Sequence, residues 1–211
     1  MRRKFIALVI TIGRENGSGG REIGKRLAKE LNLDFYDNNL IGITAQRTNF
    51  DKEYMEKREE QAPGLWASFA LGFPMAGLSS PVVPDSVFQE QAETILQVAG
   101  KGNCVIVGRA SNYILRDLPT VDVFVYAPIE DRVRRKLSLL PPEEKCSFEE
   151  MKKKLLAADS ARAKFYSYYT GSNWGPGPAF DLNVNTGKIG VEGAVAVIKT
   201  YVKNLRGDAF A

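Results

Sequence analysis

Short apolar runs alternate along this chain with segments whose apolar residues recur every three or four positions. Three runs are continuous, as is typical of strands buried on both faces of a parallel sheet; they lie at 5–12, 104–107 and 121–126. Two weaker strand patterns come from a short apolar stretch and from alternating apolar positions; they lie at 33–36 and 180–184.

Helical periodicity marks the segments between these strands. The predicted helices cover residues 22–31, 50–61, 86–99, 129–140, 148–166 and a last stretch with apolar positions from Val191 to Leu205. Strands that alternate with helices indicate right-handed crossovers and a parallel sheet covered on both faces. We therefore predict a three-layer α/β fold with a five-stranded parallel sheet, whose ligands bind at the carboxyl ends of the strands.

A glycine-rich turn joins the first predicted strand to the first predicted helix. It reads Gly13-Arg14-Glu15-Asn16-Gly17-Ser18-Gly19-Gly20-Arg21-Glu22. Glycines let backbone N–H groups point at a bound phosphate, and the helix N-terminus adds a partial positive charge. A tight turn that merely requires positive φ is the alternative, but four glycines between a strand and a helix favour a phosphate site.

The turn departs from the standard phosphate-binding pattern GxxxxGK[ST]. When Gly17-Ser18-Gly19 is aligned with the glycine-x-glycine of that loop, Gly20 occupies the lysine position. Arg21 can supply the missing cation, although its planar fork differs from a lysine ammonium. Glu22 either reaches a metal ion or starts the helix favourably. The motif thus indicates phosphate binding more strongly than catalysis, and it leaves the metal ligands open.

Composition narrows the chemistry. The chain has 211 residues, enough for one domain, and its 44% hydrophobic and 26% charged residues are typical of a globular protein. It contains no histidine, which excludes Ser-His-Asp catalysis and histidine-ligated zinc. Two isolated cysteines indicate a reducing compartment. Phosphoryl transfer needs no histidine, and a formal charge of +4 suits anionic ligands without indicating nucleic acid.

Two segments imitate membrane signals. The basic residues 1–4 precede an apolar run, but no small-residue cleavage site follows. Residues 62–84 carry no charge, but their prolines and glycines would break a spanning helix repeatedly. We therefore expect a cytoplasmic protein without a membrane partner, and the apolar 62–84 segment makes a homodimer plausible.

Several stretches resemble the cytidylate kinase-like proteins, in the same order along nearly the whole chain. They are the turn 10–23, Phe35-Tyr36-Asp37, Val105 to Arg109, Tyr126 to Arg132, Ala161 to Tyr166 with Tyr169-Thr170-Gly171, and Asp181 to Thr186. The resemblance implies one P-loop kinase-like domain over 1–211, with an acceptor-side or interface insertion at 50–87 and a helical lid region at 140–178. It also implies ATP and Mg²⁺ as cofactors and nucleotides as ligands.

The resemblance also suggests roles for individual residues. The donor phosphates are expected on Gly17, Ser18, Gly19, Gly20, Arg21 and Glu22, and the acceptor nucleotide on Asn16, Asp37, Arg109, Asp159 and Arg162. Arg21, Arg132 and Arg162 are expected to offset charge on the transferring group. The chain departs from true cytidylate kinases at the loop lysine, at its hydroxyl partner, and at Val107, where they have an aspartate before Gly108-Arg109.

Structural roles without a ligand are the alternatives for these residues. Arg109 can form a surface ion pair, Asp159 and Arg162 a helical one, and Arg132 can belong to a solvated helix face. The aromatic residues 166–174 either close over a base or pack in the core. The predicted function is ATP-dependent phosphorylation of a nucleoside monophosphate such as CMP. The alternatives are a nucleotide sensor that has lost the chemistry, and a small-molecule hydroxyl kinase with Asp37 as base.

Overall fold

A computed structural model describes residues 7–37 and 85–206. Its strands are β1 (Val9–Arg14), β2 (Asp34–Tyr36), β3 (Cys104–Val107), β4 (Thr120–Tyr126) and β5 (Leu182–Asn185). Its helices are α1 (Gly20–Glu30), α2 (Asp85–Lys101), α3 (Ser111–Ile114), α4 (Ile129–Leu139), α5 (Phe148–Thr170) and α6 (Thr186–Arg206), with a 3₁₀ turn at Pro142–Glu144. The predicted helix 50–61, the apolar segment 62–84 and nearly all of the 50–87 insertion lie outside the described residues.

The strands form one parallel sheet in the order β2-β3-β1-β4-β5. β1 lies at its centre, where Ile12 is in register with Val107 of β3 and with Val123 of β4. Because all strands run the same way, their carboxyl ends lie along one edge. The predicted fold class is confirmed, and the turns that follow β1, β3 and β4 come together at this edge.

Buried side chains cover both faces of the sheet. On one face Ile10 and Ile12 pack with Leu27 of α1 and Ile198 of α6. On the other face β1 and β3 pack against α2, through a cluster that includes Val9, Ile95 and Ile106. Successive strand residues point to opposite faces, so a continuous apolar run in the sequence produces this two-sided core.

Two of the element boundaries that differ from those predicted lie in the glycine-rich turn. β1 continues to Arg14 because Gly13 and Arg14 stay in register with Phe124 and Val125 of β4. α1 begins at Gly20 rather than at residue 22, after Gly19 in a left-handed conformation. The connecting loop is therefore only 15–19, shorter than the turn that the glycines suggested.

α4 and α5 form a helical hairpin, and α5 covers much of the predicted lid region, 140–178. Val133, Met151 and Leu155 form its small buried core. The Ser147 side chain accepts from the Glu150 N–H at 3.2 Å and starts α5, and Gly171 in a left-handed conformation ends it. The mobility of a lid stays a prediction. In the described ranges, no helix combines the length and the apolarity needed to cross a membrane.

Candidate functional site

The loop 15–19 and the first turn of α1 form a cradle at the carboxyl end of β1. Gly17 and Gly19 have φ values of 86° and 90°, which favour glycine. A Cβ at Gly17 would lie 2.9 Å from the carbonyl oxygen of Arg132. Since Gly19 has no side chain that can cap α1, the first amides of the helix remain available to an anion.

Hydrogen bonds from outside the loop fix its shape. The Glu15 N–H donates to Val125 at 3.0 Å, and the Ser18 hydroxyl donates back to the Glu15 carbonyl at 2.9 Å. Thr186, at the start of α6, donates its hydroxyl to the Ser18 carbonyl at 2.7 Å and lies 3.2 Å from the Tyr126 carbonyl. The cradle is therefore tied to β4 and α6 as well as to β1.

Beneath this loop lies a buried ionic network, here called the loop clamp, formed by Glu15, Asn16, Arg132 and Asp159. Arg132 donates to the carbonyl oxygens of Ala127 at 3.0 Å and Asn16 at 3.1 Å. It also pairs with Asp159, and with Glu15 at 3.3 Å. Asp159 in turn accepts from the Asn16 N–H at 2.7 Å. Arg132 and Asp159, both predicted to meet ligands, thus hold the loop against α4 and α5.

Burial and hydrogen bonding oppose each other at Glu15. Burial raises the pKa of the Glu15 carboxyl, while the Ala127 N–H at 3.1 Å and the charge of Arg132 act to lower it. The carboxylate is thus committed to the clamp. Its arginine partner is Arg132, at 3.3 Å.

A second group of arginines surrounds a small cavity beside the loop. We call this cavity, of about 40 Å³, the arginine pocket, after Arg14, Arg109 and Arg162. Its other walls are Gly13, Gly108, Ala110, Ser111, Asn112, Phe165, Tyr166, Trp174 and Phe180. The side chains come from β1, from the turn after β3, from α5 and from the loop before β5. Arg109 and Arg162, predicted acceptor residues, are therefore brought together.

The three guanidinium groups of the pocket repel one another. Burial, then the charges of Arg162 and Arg109, lower the pKa of Arg14 well below its ordinary value. Burial and Arg162 lower the pKa of Arg109 to about 10. Burial also lowers the pKa of Arg162, although Asp159, which accepts from it at 3.0 Å, opposes the change. A site with this excess of positive charge is suited to an anion.

The backbone that presents Arg109 is strained. Gly108, Arg109 and Ala110 follow β3 with φ values of 85°, 61° and 52°, three successive left-handed residues. Two of them carry a Cβ, which makes this conformation costly. The segment turns around Arg14, since a Cβ at Gly108 would lie only 2.0 Å from the Arg14 Nη1 atom. Strain of this kind is found at ligand-binding sites.

Arg21 and Asp37 form a separate pair at the start of α1. The Arg21 Nε donates to Asp37 Oδ2 at 2.6 Å; the Arg21 side chain is 59% exposed and that of Asp37 8%. Glu22 is likewise bound by basic residues, by Arg26 at 2.8 Å and by Arg135. Partial burial alone would raise the pKa of Glu22, but these two arginines outweigh it and hold the pKa below its ordinary value.

These carboxylates offer little to a resident metal ion. Across residues 7–37 and 85–206, no three acidic or cysteine side chains cluster as metal ligands. Glu22 and Asp37 are engaged by arginines, and Arg21 adds a third positive charge there. Mg²⁺ prefers several free oxygen ligands. The donor set within these ranges therefore does not fit a protein-held Mg²⁺, and the metal role considered for Glu22 is not supported.

The aromatic residues of the lid region divide between the two predicted roles. Tyr166 and Trp174 line the arginine pocket, and the Tyr166 hydroxyl accepts from Asn112 Nδ2 at 3.0 Å. Tyr169 stacks on Phe88, with ring centroids 3.8 Å apart. Tyr168 is 58% exposed. Only the first two of these four are placed to contact a ligand in the pocket.

Sequence reasoning missed Arg14 and Asn112. The pairing of parallel strands could have indicated Arg14, because Ile12 and Val107 are in register and an arginine follows each of them two residues later. A cation at the end of one central strand therefore faces the cation after the next. Asn112 follows the same turn, but nothing in the sequence couples it to Tyr166, 54 positions later.

Known proteins share this architecture. The cytidylate kinase of Ignicoccus hospitalis is 24% identical over 192 residues, covering 90% of this chain and 96% of that one. A crystal structure of an uncharacterized protein from Eubacterium ventriosum matches with a TM-score of 0.71 and 23% identity, over 94% of this chain and 99% of that chain. Shikimate kinase from Bacteroides thetaiotaomicron matches with a TM-score of 0.53 and 18% identity, over 93% and 98%.

At such identities, similarity to the solved structures shows the fold alone. The sequence profile of the Cytidylate kinase-like family, in contrast, matches residues 9–188 and so includes the cradle, the clamp and the arginine pocket. The chain therefore belongs to the Cytidylate kinase-like family, a kinase-like family of nucleotide-binding phosphotransferases.

Proposed function

We propose that this protein transfers the terminal phosphoryl group of ATP to the phosphate of a nucleoside monophosphate, with CMP as the first candidate. The arginine pocket beside the glycine-rich cradle is the observation that carries this proposal. A phosphate monoester carries up to two negative charges and can accept from several guanidinium groups, which makes it a better match for three arginines than a neutral hydroxyl.

In this proposal the cradle binds the donor. The amides of residues 17–21 and the N-terminus of α1 hold the ATP phosphates, and Arg21, exposed at its rim, offsets their charge. Asp37 fixes Arg21 rather than contacting the acceptor, because its carboxylate already accepts from that guanidinium at 2.6 Å. Magnesium enters as part of the nucleotide substrate, MgATP, and no step depends on a protein-held ion.

The arginine pocket binds the acceptor phosphate. Arg109 and Arg162 contact it directly, and Asp159 positions Arg162 through the 3.0 Å contact. Arg132 acts as a positioning residue, since its donors hold the Ala127 and Asn16 carbonyls and the clamp carboxylates. Asn16 contributes its backbone to the clamp, and a contact from its side chain to the acceptor stays a prediction.

The transfer itself needs no general base. An acceptor phosphate oxygen forms the new P–O bond to the γ-phosphorus, and the bond from that phosphorus to the β,γ-bridging oxygen breaks, releasing ADP. The acceptor oxygen is already anionic, so no proton has to be removed. The protein contributes position and positive charge on the equatorial oxygens, supplied by Arg21 and Arg162.

Two other functions remain candidates. A hydroxyl kinase, such as the shikimate kinase that shares the fold, would need a carboxylate base. Asp37, the candidate base, is bound by Arg21, which argues against that role. A nucleotide sensor without turnover is favoured by Gly20 at the lysine position and Arg21 at the hydroxyl position of the standard loop.

Phosphorus NMR with MgATP and a panel of acceptors tests the proposal. The panel contains the nucleoside monophosphates and shikimate, each with the wild type and with Arg162→Met. We expect ADP and CDP to appear with CMP, at a rate at least about 100-fold lower in Arg162→Met, because a transition-state charge contact is lost. Arg116→Met, a change at an exposed arginine outside the pocket, is the matched control and should keep the wild-type rate.

The other outcomes separate the alternatives. ATP that stays intact with every acceptor, while nucleotides still bind, would contradict the kinase proposal and favour the sensor. Phosphorylation of shikimate alone, abolished by Asp37→Asn, would favour the hydroxyl kinase. The expected homodimer stays a prediction, because the 62–84 segment on which it rests lies outside the described residues. The cytoplasmic location also stays a prediction.

A further inference from the structure

We propose that Arg14 binds the phosphate group in the arginine pocket, so that the glycine-rich turn carries its cation at position 14 rather than at the lysine position of the standard loop. The inference rests on the proposed function, because it concerns the same site. It deepens that function by naming a residue and a ligand class, a tetrahedral phosphate group with two negative charges.

The glycine-rich turn and the standard pattern GxxxxGK[ST] place their cation at different positions. Gly19 immediately precedes α1 and therefore stands at the second glycine of the pattern GxxxxGK[ST]. Counting back from it, the first glycine position holds Arg14, and counting forward, the lysine position holds Gly20. The chain thus has an arginine where the pattern has glycine, and a glycine where the pattern has its cation. These two departures complement each other.

Gly20 and Gly108 leave space for the Arg14 side chain. A Cβ at Gly20 would lie 2.6 Å from the Arg14 Cβ and 3.0 Å from its Cγ. A lysine at position 20 therefore cannot coexist with Arg14 in its present conformation. Gly108 makes room for the other end of the same side chain, since a Cβ there would lie 2.0 Å from the Arg14 Nη1. Two glycines on separate elements thus leave the channel that Arg14 occupies.

Arg14 is attracted by two carboxylates and repelled by two arginines. Asp37 and Asp159 attract Arg14 through their charges, but both already accept hydrogen bonds from other arginines. Asp37 accepts from Arg21 at 2.6 Å, and Asp159 accepts from Arg162 and Arg132. The nearby cations Arg109 and Arg162 repel Arg14, and burial together with this repulsion lowers its pKa. A bound dianion would offset this repulsion.

The cavity sets the size of the ligand group. Its volume of about 40 Å³ compares with roughly 10–15 Å³ for one water molecule on the same scale. It therefore admits a small oxyanion but not a nucleoside. The phosphate of an acceptor fits between the guanidinium groups, while the rest of the acceptor must lie outside this cavity.

Ligand-dependent thermal stability tests the inference with inorganic phosphate and with CMP as probes. The melting temperature of the wild type should rise with either probe, because a ligand of the native state stabilises it. In Arg14→Met the apparent affinity for both probes should fall at least about tenfold, as charge-assisted hydrogen bonds are lost. Arg116→Met should respond like the wild type. A wild type that does not respond, or a normal response of Arg14→Met, would overturn the inference.

The melting temperature without ligand separates a binding role from a structural one. If Arg14 binds phosphate, Arg14→Met removes a charge that Arg109 and Arg162 repel, and the ligand-free protein should melt at the same or a higher temperature. If Arg14 instead stabilises the fold through Asp37 and Asp159, the ligand-free variant should melt at a lower temperature and keep its phosphate response. That combination would contradict the inference.

An exchange of the two positions provides a second test. Gly20→Lys alone should weaken phosphate binding, because the new side chain collides with Arg14. Arg14→Gly alone should weaken it through the lost charge. The double variant Arg14→Gly/Gly20→Lys restores glycine and cation in the standard order and should bind phosphate more tightly than either single variant. A double variant no better than Arg14→Gly would show that the two positions are not coupled.

These readouts distinguish failure of the inference from failure of the proposed function. If phosphate binding depends on Arg14 but the wild type does not turn over MgATP and CMP, the inference is supported and the proposed kinase activity is contradicted. If CMP is turned over and Arg14→Met does not affect the rate, the kinase activity is supported and the inference is contradicted.

Discussion

Arginines gather in two neighbouring places in this protein, and their surroundings differ. In the loop clamp, Arg132 meets two carbonyl oxygens and two carboxylates. In the arginine pocket, Arg14 faces Arg109 and Arg162, and the carboxylates that attract it are bound by other residues. The same type of side chain is a structural tie in the first place and, in our proposal, an anion receptor in the second.

The difference follows from how a buried charge is compensated. A buried cation whose donors are all directed at protein acceptors holds the elements that carry those acceptors together. A buried cation beside other cations is tolerated only if the rest of the fold compensates for it, and it gains stability when an anion arrives. Asp159 connects the two regions, because it accepts from both Arg132 and Arg162.

The largest effect is expected when the clamp is broken at this shared carboxylate. Asp159→Asn removes the negative charge next to Arg132 and leaves a buried cation with less compensation. We expect the free energy of unfolding to fall by about 3 kcal/mol or more, as is typical when one partner of a buried ion pair is lost. Urea denaturation measures the change, with circular dichroism to confirm that the variant folds.

Asp131→Asn is the matched control for that experiment. Asp131 pairs with Arg134 at 2.8 Å, and the Arg134 side chain is largely exposed. Its loss should change the free energy of unfolding by about 1 kcal/mol or less. If the two variants were equally stable, the clamp would not be the structural tie inferred here.

A smaller effect on stability, but a large one on binding, is expected from Gly108→Ala in the pocket. The left-handed conformation costs an added Cβ about 1–2 kcal/mol, and this Cβ would lie 2.0 Å from the Arg14 Nη1 atom, the flexible end of a side chain that must then move. Gly171→Ala shares the left-handed conformation, but a Cβ there meets nothing within 4 Å. Urea denaturation should therefore show similar losses in the two variants, while phosphate binding should fall only in Gly108→Ala.

The smallest effect on stability is expected from Glu22→Gln, because the arginines that contact Glu22 are partly exposed. The pKa of Glu22 lies below its ordinary value in the folded protein, so its contribution to stability is complete above that ordinary value and is lost as the pH falls through the folded value. Glu22→Gln should cost about 0.5 kcal/mol at pH 7, and the cost should shrink as the pH falls through the folded pKa of Glu22. A cost that did not shrink as the pH fell would indicate a role other than charge.

Most of the fold could be predicted from the sequence. Continuous apolar runs such as 104–107 identify buried strands, and their alternation with helices indicates the parallel sheet. The ends of β1 and α1 were misplaced because the glycines at 17–20 suggested a longer turn. Pairing of Arg14 with Val125 extends the strand, and such non-local pairing does not show in a local pattern.

The sequence by itself determined the α/β class, the phosphate cradle after the first strand and a surplus of arginines near it. Only the tertiary structure decided what each arginine does. Arg132 and Arg162 both lie on predicted helices, yet one is enclosed by acceptors and the other lines a cavity with Arg14 and Arg109. The physical reason is that the effect of a buried charge depends on all the groups around it, and packing brings those groups together from distant parts of the chain.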